Sequence, residues 1–282
     1  MKKIILLLAI SLNFAFALIA HADTSEYNSS TGQRQITVKE SKYTLNVEAK
    51  ANSLWAMIKI SKGEAEDTVM LKLDRPVIKS NLYFKNGAGT YKVQIFESSS
   101  KNQYDSYYFS STFLITNKDQ RDLSYLLPST YVQSDNAEII ALANSITADS
   151  RSDMESLRKI HHYVATNVQY DWDSYKDGSY ANKPFDALTT FKRARAVCAG
   201  YSNLYAALLR AVGIRARVIN GLADIGNGMV EKHAWNEVYI DNEWSSVDVT
   251  WDSTLNDNNK YFLMPDALFA KDHLKEKVMD IY

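Results

Sequence analysis

Three residue types that together perform nucleophilic chemistry occur once each in suggestive settings: Cys198, His233 and Asp248. Cys198 is the single cysteine of the 282 residues, so no intramolecular disulfide is possible. By composition alone a lone thiol reads as a small buried side chain. Its neighbourhood argues otherwise. The stretch Val197-Cys198-Ala199-Gly200-Tyr201-Ser202-Asn203-Leu204 opens a helix, because Tyr201, Leu204, Tyr205, Leu208 and Val212 recur at spacings of three and four, and Gly213 supplies a C-terminal stop. Cys198 therefore stands at the helix N-terminus, where backbone N–H groups lack intrahelical partners and the positive end of the dipole favours an anionic sulfur. The same amides can receive the negative oxygen of a tetrahedral intermediate. A structural cysteine would more naturally sit mid-helix on the apolar stripe.

A cysteine nucleophile needs a base, and the base needs an orienting group. Both lie in one predicted β-hairpin, His233-Ala-Trp-Asn-Glu-Val-Tyr-Ile240, then Asp241-Asn242, then Glu243-Trp-Ser-Ser-Val-Asp248-Val-Thr-Trp251. With Asp241 and Asn242 as the loop, Ile240 pairs with Glu243, and His233 and Asp248 become diagonal neighbours on one face, roughly 7–8 Å apart at the backbone. Moving the turn back by one residue keeps the pair on one face. A three-residue loop separates them by flipping the parity. The second strand is expected to run through Trp251.

These elements belong to the second of two halves. Residues 23–125 carry period-2 alternation in Tyr43-Leu45-Val47, Leu54-Ala56-Ile58-Ile60, Val69-Leu71-Leu73 and Tyr91-Val93-Ile95, with a further aromatic and β-branched run over 107–115. Turn-like clusters separate these runs, which indicates antiparallel strands in a sandwich-like domain. A linker is placed at 126–136. From 137 the period becomes helical: Ile139, Leu142, Ala143 and Ile146, and then Leu157, Ile160, His161, Val164 and Val168 behind a capping box of Ser152 and Glu155. The fold class is α+β. Residues 1–22 read as a secretory signal peptide, with Lys2 and Lys3, an apolar run from Ile4 to Leu18, and small residues at Ala20 and Ala22. The run is short for a bilayer span, which needs roughly 20 residues. A secreted protein, extracellular or held at the cell envelope and with no integral membrane segment after cleavage, is expected.

Composition excludes some classes. Removing residues 1–22 takes away two lysines and no acids, so 32 basic against 33 acidic residues become 30 against 33. A chain so near neutrality, without a basic block, gives no support for nucleic-acid or electrostatic membrane binding. Asp171, Asp173 and Asp177-Gly178 invite a calcium loop, but the twelfth position from Asp171 is Asn182 rather than glutamate. His161 and His162 are adjacent on a helix and point to different faces, so neither anchors a zinc site. No metal or organic cofactor is called for. The aromatic residues of the first half, among them Tyr83, Phe84, Tyr91 and Phe96, are explained mostly by packing.

The run Val-Cys-Ala-Gly-Tyr-Ser, followed by Leu-Leu-Arg-Ala-Val-Gly-Ile-Arg-Ala-Arg-Val, His-Ala-Trp-Asn-Glu-Val and Trp-Ser-Ser-Val-Asp-Val-Thr-Trp-Asp, resembles bacterial members of the transglutaminase-like superfamily. The resemblance covers roughly Asn136 to the C-terminus and keeps the order Cys–His–Asp. It implies a papain-like α+β catalytic domain over 137–282, with Cys198 on a helix and His233 and Asp248 on neighbouring strands. It also implies acyl transfer at a protein or peptide amide through a thioester: Cys198 attacks, His233 accepts and returns the proton, and Asp248 orients the imidazole. Tyr170, in Asn-Val-Gln-Tyr-Asp, matches the pattern upstream of the cysteine, where it would line the pocket or help hold the oxyanion, although packing explains it as well. Trp235 is a further candidate for contact with substrate. A cysteine peptidase or amidase of the same fold is the near alternative, and a non-catalytic peptide- or envelope-binding module the more distant one. The substrate, the role of the first domain and the oligomeric state are left open.

Overall fold

The structure is a computed structural model. It describes residues 19–21, 26–31, 34–41, 43–98, 107–226, 228–255 and 259–279; residues 19–39, 41 and 107–110 are described by backbone alone where described. Most of the expected signal peptide lies outside the described residues, as do the side chains of the aromatic run at 107–109. Two compact units form. One takes residues up to 62, 70–82 and 88–118, and the other takes 63–69, 83–87 and 119–282.

The N-terminal part of the chain carries strands β1 (Ile19–His21), β2 (Glu26–Thr31), β3 (Arg34–Ser41), β4 (Thr44–Lys50), β5 (Trp55–Lys62), β6 (Ala65–Lys72), β7 (Val77–Tyr83), β8 (Gly89–Ser98) and β9 (Tyr107–Asn117). They make one sheet ordered β1-β9-β8-β5-β6 and another ordered β2-β3-β4-β7. Pairing is antiparallel in β2–β3, β3–β4, β5–β8 and β8–β9, while β1 runs parallel to β9. The alternation in the sequence becomes alternating burial. Leu45, Val47 and Ala49 of β4, Ala56, Ile58 and Ile60 of β5, and Tyr91, Val93 and Ile95 of β8 are buried. Leu54, expected on the same face as Ala56, precedes β5 in a bend and is half exposed.

The second unit continues with α1 (Ala137–Thr147), α2 (Asp153–Asn167), β10 (Gln169–Tyr170), α3 (Trp172–Asp177), a 3-10 turn (Ser179–Asn182), α4 (Ala187–Arg193), β11 (Arg195–Ala196) and α5 (Cys198–Ala211). It closes with β12 (Ala216–Asp224), β13 (Val230–Ile240), β14 (Glu243–Val247), α6 (Val249–Thr254), β15 (Phe262–Met264), α7 (Asp266–Phe269) and β16 (His273–Val278). The larger sheet is ordered β15-β14-β13-β12-β16 and is antiparallel throughout. Helix α5 is its centrepiece. Every residue from Gly200 to Arg210 is buried, which is why this segment is apolar nearly all round rather than on one stripe. Its core partners include Leu157, Ile160 and Val164 of α2 and Val218 and Val238 of the sheet. Among the described residues, no helix is long and apolar enough to cross a membrane.

The predicted helix signals are in place. Ser152 caps α2 by accepting from the Glu155 N–H at 3.2 Å, and the Glu155 carboxylate accepts from the Arg151 N–H at 2.9 Å. Helix α5 ends with Gly213 at φ 85°, where the Ile214 N–H bonds back to Leu209 O and the Gly213 N–H to Arg210 O, each at 3.0 Å. That pair of bonds is a Schellman stop, which needs the left-handed conformation glycine adopts without strain.

Candidate active site

Cys198 is the first residue of α5 and is partly exposed. Val197, the N-cap, has no side chain able to cap, so the first-turn amides have no side-chain acceptor from the cap. The helix start is fixed from behind. A Cβ at Gly200 would collide with Ala196 Cβ and come within 2.6 Å of Thr190 Oγ1, so only glycine lets α5 lie this close to β11 and α4. The Tyr201 hydroxyl donates to Val168 O at 2.5 Å, and Asn236 Nδ2 donates to Ser202 O at 3.0 Å, tying α5 to the end of α2 and to β13.

The hairpin forms as expected. Asp241 and Asn242 carry φ of 51° and 67°, the two-residue turn that suits strand twist, and Ile240 pairs with Glu243. Beyond Val247 the expectation fails. Asp248 is not a strand residue opposite β13 but the N-cap of α6, accepting from the N–H groups of Thr250 at 2.9 Å and Trp251 at 3.1 Å through Oδ1. The alternation of Val247, Val249 and Trp251 imitates a strand, but the Asp248 side chain offers the backbone a competing partner and turns it into a helix. The carboxylate still reaches the histidine. His233 Nε2 lies 2.7 Å from Asp248 Oδ2, and Cys198 adds to the electrostatic field on the same imidazole. The cysteine, the histidine and the aspartate named from the sequence are thus brought together.

Asp248 is fully buried, and all four of its acceptor positions are filled. Besides the two amides and His233, Oδ2 accepts from His273 Nε2 at 3.1 Å. Burial by itself would raise this carboxyl, but the charge and hydrogen bond of His233, joined by those of His273, hold it well below the usual carboxylate range. His233 shows the converse. Burial would lower it, but the charge of Asp248, its hydrogen bond and the contact with Cys198 raise it to about 10. The imidazolium form of His233 is therefore favoured beside the sulfur. The ring lies against Trp251, 5.5 Å away, and Trp235, 6.2 Å away, centroid to centroid.

The weaker candidates separate. Tyr170 on β10 is partly buried, and burial and then the charge of Cys198 raise its phenol well above the usual range. It starts an aromatic wall with Trp172 at 4.6 Å and Tyr175 at 5.9 Å. The Tyr175 hydroxyl donates to Glu231, and the Trp172 side chain is about half exposed. Trp235 is 2% exposed and packs on Phe269 and His273, so it supports the site from beneath and does not face a substrate. Asp171 caps α3 and pairs with Lys183 at 3.1 Å. His161 lies 2.9 Å from Asp252 Oδ2 in the core.

His273, which the sequence reading missed, arrives from β16 across β12. It follows Asp248 by 25 positions in a strand whose other residues are mostly polar and exposed, and no spacing rule links the two. His233, Asp248 and His273 offer one ligand-type atom each, all within 4.8 Å of one another. These atoms are the ones already hydrogen-bonded to each other, and an ion there would have to break the His233–Asp248 bond.

Residues 140–249 match the profile of the transglutaminase-like superfamily. The chain is 30% identical over 153 residues to the mouse (Mus musculus) kyphoscoliosis peptidase, covering 48% of this chain and 23% of that protein, so it spans about a quarter of that relative's length. Among solved structures, a candidate cysteine protease from Cytophaga hutchinsonii is 18% identical with a TM-score of 0.42, covering 89% of this chain and 82% of that one. A TGase structure is 26% identical with a TM-score of 0.35, covering 43% of this chain and 32% of that one.

Proposed function

We propose, from the membership of residues 140–249 in the transglutaminase-like superfamily, that this protein is an exported cysteine enzyme that transfers the acyl group of a protein or peptide amide through a thioester at Cys198. The observation that carries the reading is the imidazole of His233, which bonds Asp248 Oδ2 at 2.7 Å and is raised in part by Cys198 at the start of α5.

The steps follow from these positions. The sulfur, ionised with its proton on His233, attacks the amide carbonyl carbon. The carbonyl oxygen gains the electron pair, and the uncapped first-turn amides of α5 are the donors that would receive its charge. The carbonyl re-forms, the C–N bond breaks, and His233 gives its proton to the departing nitrogen. An amine or water, deprotonated by His233, then attacks the thioester carbonyl, and the sulfur leaves as thiolate. Asp248 keeps the ring oriented throughout and stabilises its cationic form.

Hydrolysis is the second reading. It has support from the relative named a peptidase and from the partial exposure of Cys198, which leaves the thioester open to water. A protein substrate offered with an excess of labelled primary amine separates the two. Incorporated label establishes transfer, new chain termini without label establish proteolysis, and ammonia without label establishes deamidation. If wild type and Cys198→Ala behave alike in all three assays, the enzyme reading is wrong.

A further inference from the structure

Behind Asp248 the polar contacts continue. His273 has both ring nitrogens against carboxylates: Nε2 at 3.1 Å from Asp248 Oδ2, and Nδ1 at 2.7 Å from Asp272 Oδ1. Asp272 Oδ2 in turn accepts from the Tyr261 hydroxyl at 2.8 Å. A carboxylate accepts and does not donate, so each His273 nitrogen that bears a hydrogen donates to the carboxylate it faces. The ring is enclosed. Its side chain has no exposed surface, and it stacks on Phe269 at 4.0 Å and lies 4.4 Å from Trp251, 5.1 Å from Trp235, 5.6 Å from Tyr261 and 5.6 Å from His233, centroid to centroid. The ionisable groups that meet it from its neighbours are Asp248, Asp272, His233 and Tyr261.

Packing alone does not account for this arrangement. An aliphatic residue fills an aromatic cage at lower desolvation cost than an imidazole held between two carboxylates. Asp248 was also already anchored by two α6 amides and His233. What His273 adds is a second donor on the same oxygen that His233 uses.

We infer that His273 is a positioning residue of the site, sharing Asp248 Oδ2 with His233 and drawing part of that carboxylate's charge away from the catalytic imidazole. The consequence is chemical. An imidazolium facing an unshared buried carboxylate holds its proton tightly and returns it slowly to a leaving nitrogen, whereas a shared carboxylate lets the proton go. The inference rests on the reading of Cys198 and His233 as nucleophile and base, and the test keeps the two apart.

The readout is the His233 ring in ¹⁵N-histidine-labelled full-length protein, titrated by NMR in a Cys198→Ala background, so that no activity is needed. Adding His273→Leu is expected to move the His233 titration upward by about one pH unit, because the full Asp248 charge then faces it. No shift, or a downward shift, overturns the inference. If the leucine variant does not fold, His273→Phe, which keeps an aromatic ring on Phe269 and removes the donor to Asp248, gives the same reading with the same sign. The underlying catalytic reading is tested separately by alkylation of Cys198 with iodoacetamide. If His233→Ala leaves that rate unchanged, the catalytic reading fails whatever the ring titration shows.

Discussion

At the residue scale, function and stability meet on Asp248. Its buried carboxylate serves a helix cap and two imidazoles at once, so removal of the charge acts on both. Asp248→Asn keeps the shape but supplies an amide where His233 needs an acceptor. Turnover on any substrate found by the amine assay is expected to fall by about 10³-fold or more, with burst or steady-state kinetics as the check. Asp248→Ala leaves His233 and His273 without their shared acceptor and is expected to cost roughly 3–5 kcal/mol in urea unfolding. The pH dependence has a definite sign. The folded carboxyl is held below its unfolded value, so its stabilisation is present above the ordinary aspartate range near pH 4 and is lost as pH falls toward the folded value. The stability of wild type should therefore drop on acidification below about pH 4 more steeply than that of Asp248→Asn. An identical acid limb in the two proteins would refute this account.

At the element scale, two glycines set how closely the site's supports approach. Gly200 lets the first turn of α5 rest on Ala196 and Thr190. Gly221 of β12 faces His233 of β13, and a Cβ there would run into Leu274 O of β16 and reach within 2.5 Å of the Trp235 ring. Both obstacles are backbone or packed side chain, so neither yields cheaply. Gly200→Ala is expected to destabilise by about 1–3 kcal/mol and to slow alkylation of Cys198 by moving the helix start. Gly221→Val is expected to cost at least as much and to pry β16, and with it His273, from β12. Thermal unfolding followed by circular dichroism reads the first effect, and alkylation rates measured on the folded fraction read the second. Substitutions tolerated within about 0.5 kcal/mol would show that these approaches are not tight.

At the scale of the whole molecule, the first unit has its own pH signature. Glu40 of β3 is buried, and among the described residues neither carboxylate oxygen has a hydrogen-bond partner. Burial raises it to about 7, against a smaller lowering by the Lys118 charge. The native state thus holds a proton that the unfolded chain releases near pH 4.5, so stability is expected to decline as pH rises from about 4.5 through 7 and then to level off. Glu40→Gln should remove that decline and stabilise the protein above pH 7 by on the order of 2–3 kcal/mol. Calorimetry across pH 5 to 8 tests this, and a wild-type stability that rises over the window would contradict it. This slope runs opposite to that of Asp248, so the two groups together predict maximal stability in mildly acidic solution.

Much of this site is written in short stretches of chain. The start of α5 at Cys198 and its stop at Gly213 follow from helical spacing and a left-handed glycine. The turn at Asp241-Asn242 and the Ile240–Glu243 register follow from a two-residue loop between alternating strands. These signals are local, because hydrogen bonds and side-chain periods within a few residues decide them. The alternation around Asp248 misled for the same reason. Val247, Val249 and Trp251 satisfy a strand period, while the choice between strand and cap depended on where the aspartate found its partners in three dimensions. His273 lay beyond any local rule. It reaches Asp248 because β16 pairs with β12 rather than with β13, and that pairing is selected by burial and by the bare Gly221 backbone across the sheet. The sequence alone determined which residues are the candidates for chemistry and how α5 and the first strand of the hairpin present Cys198 and His233. Only the tertiary structure decided that the carboxylate holding His233 is shared with a second histidine, because contacts between distant segments are settled by packing and not by spacing along the chain.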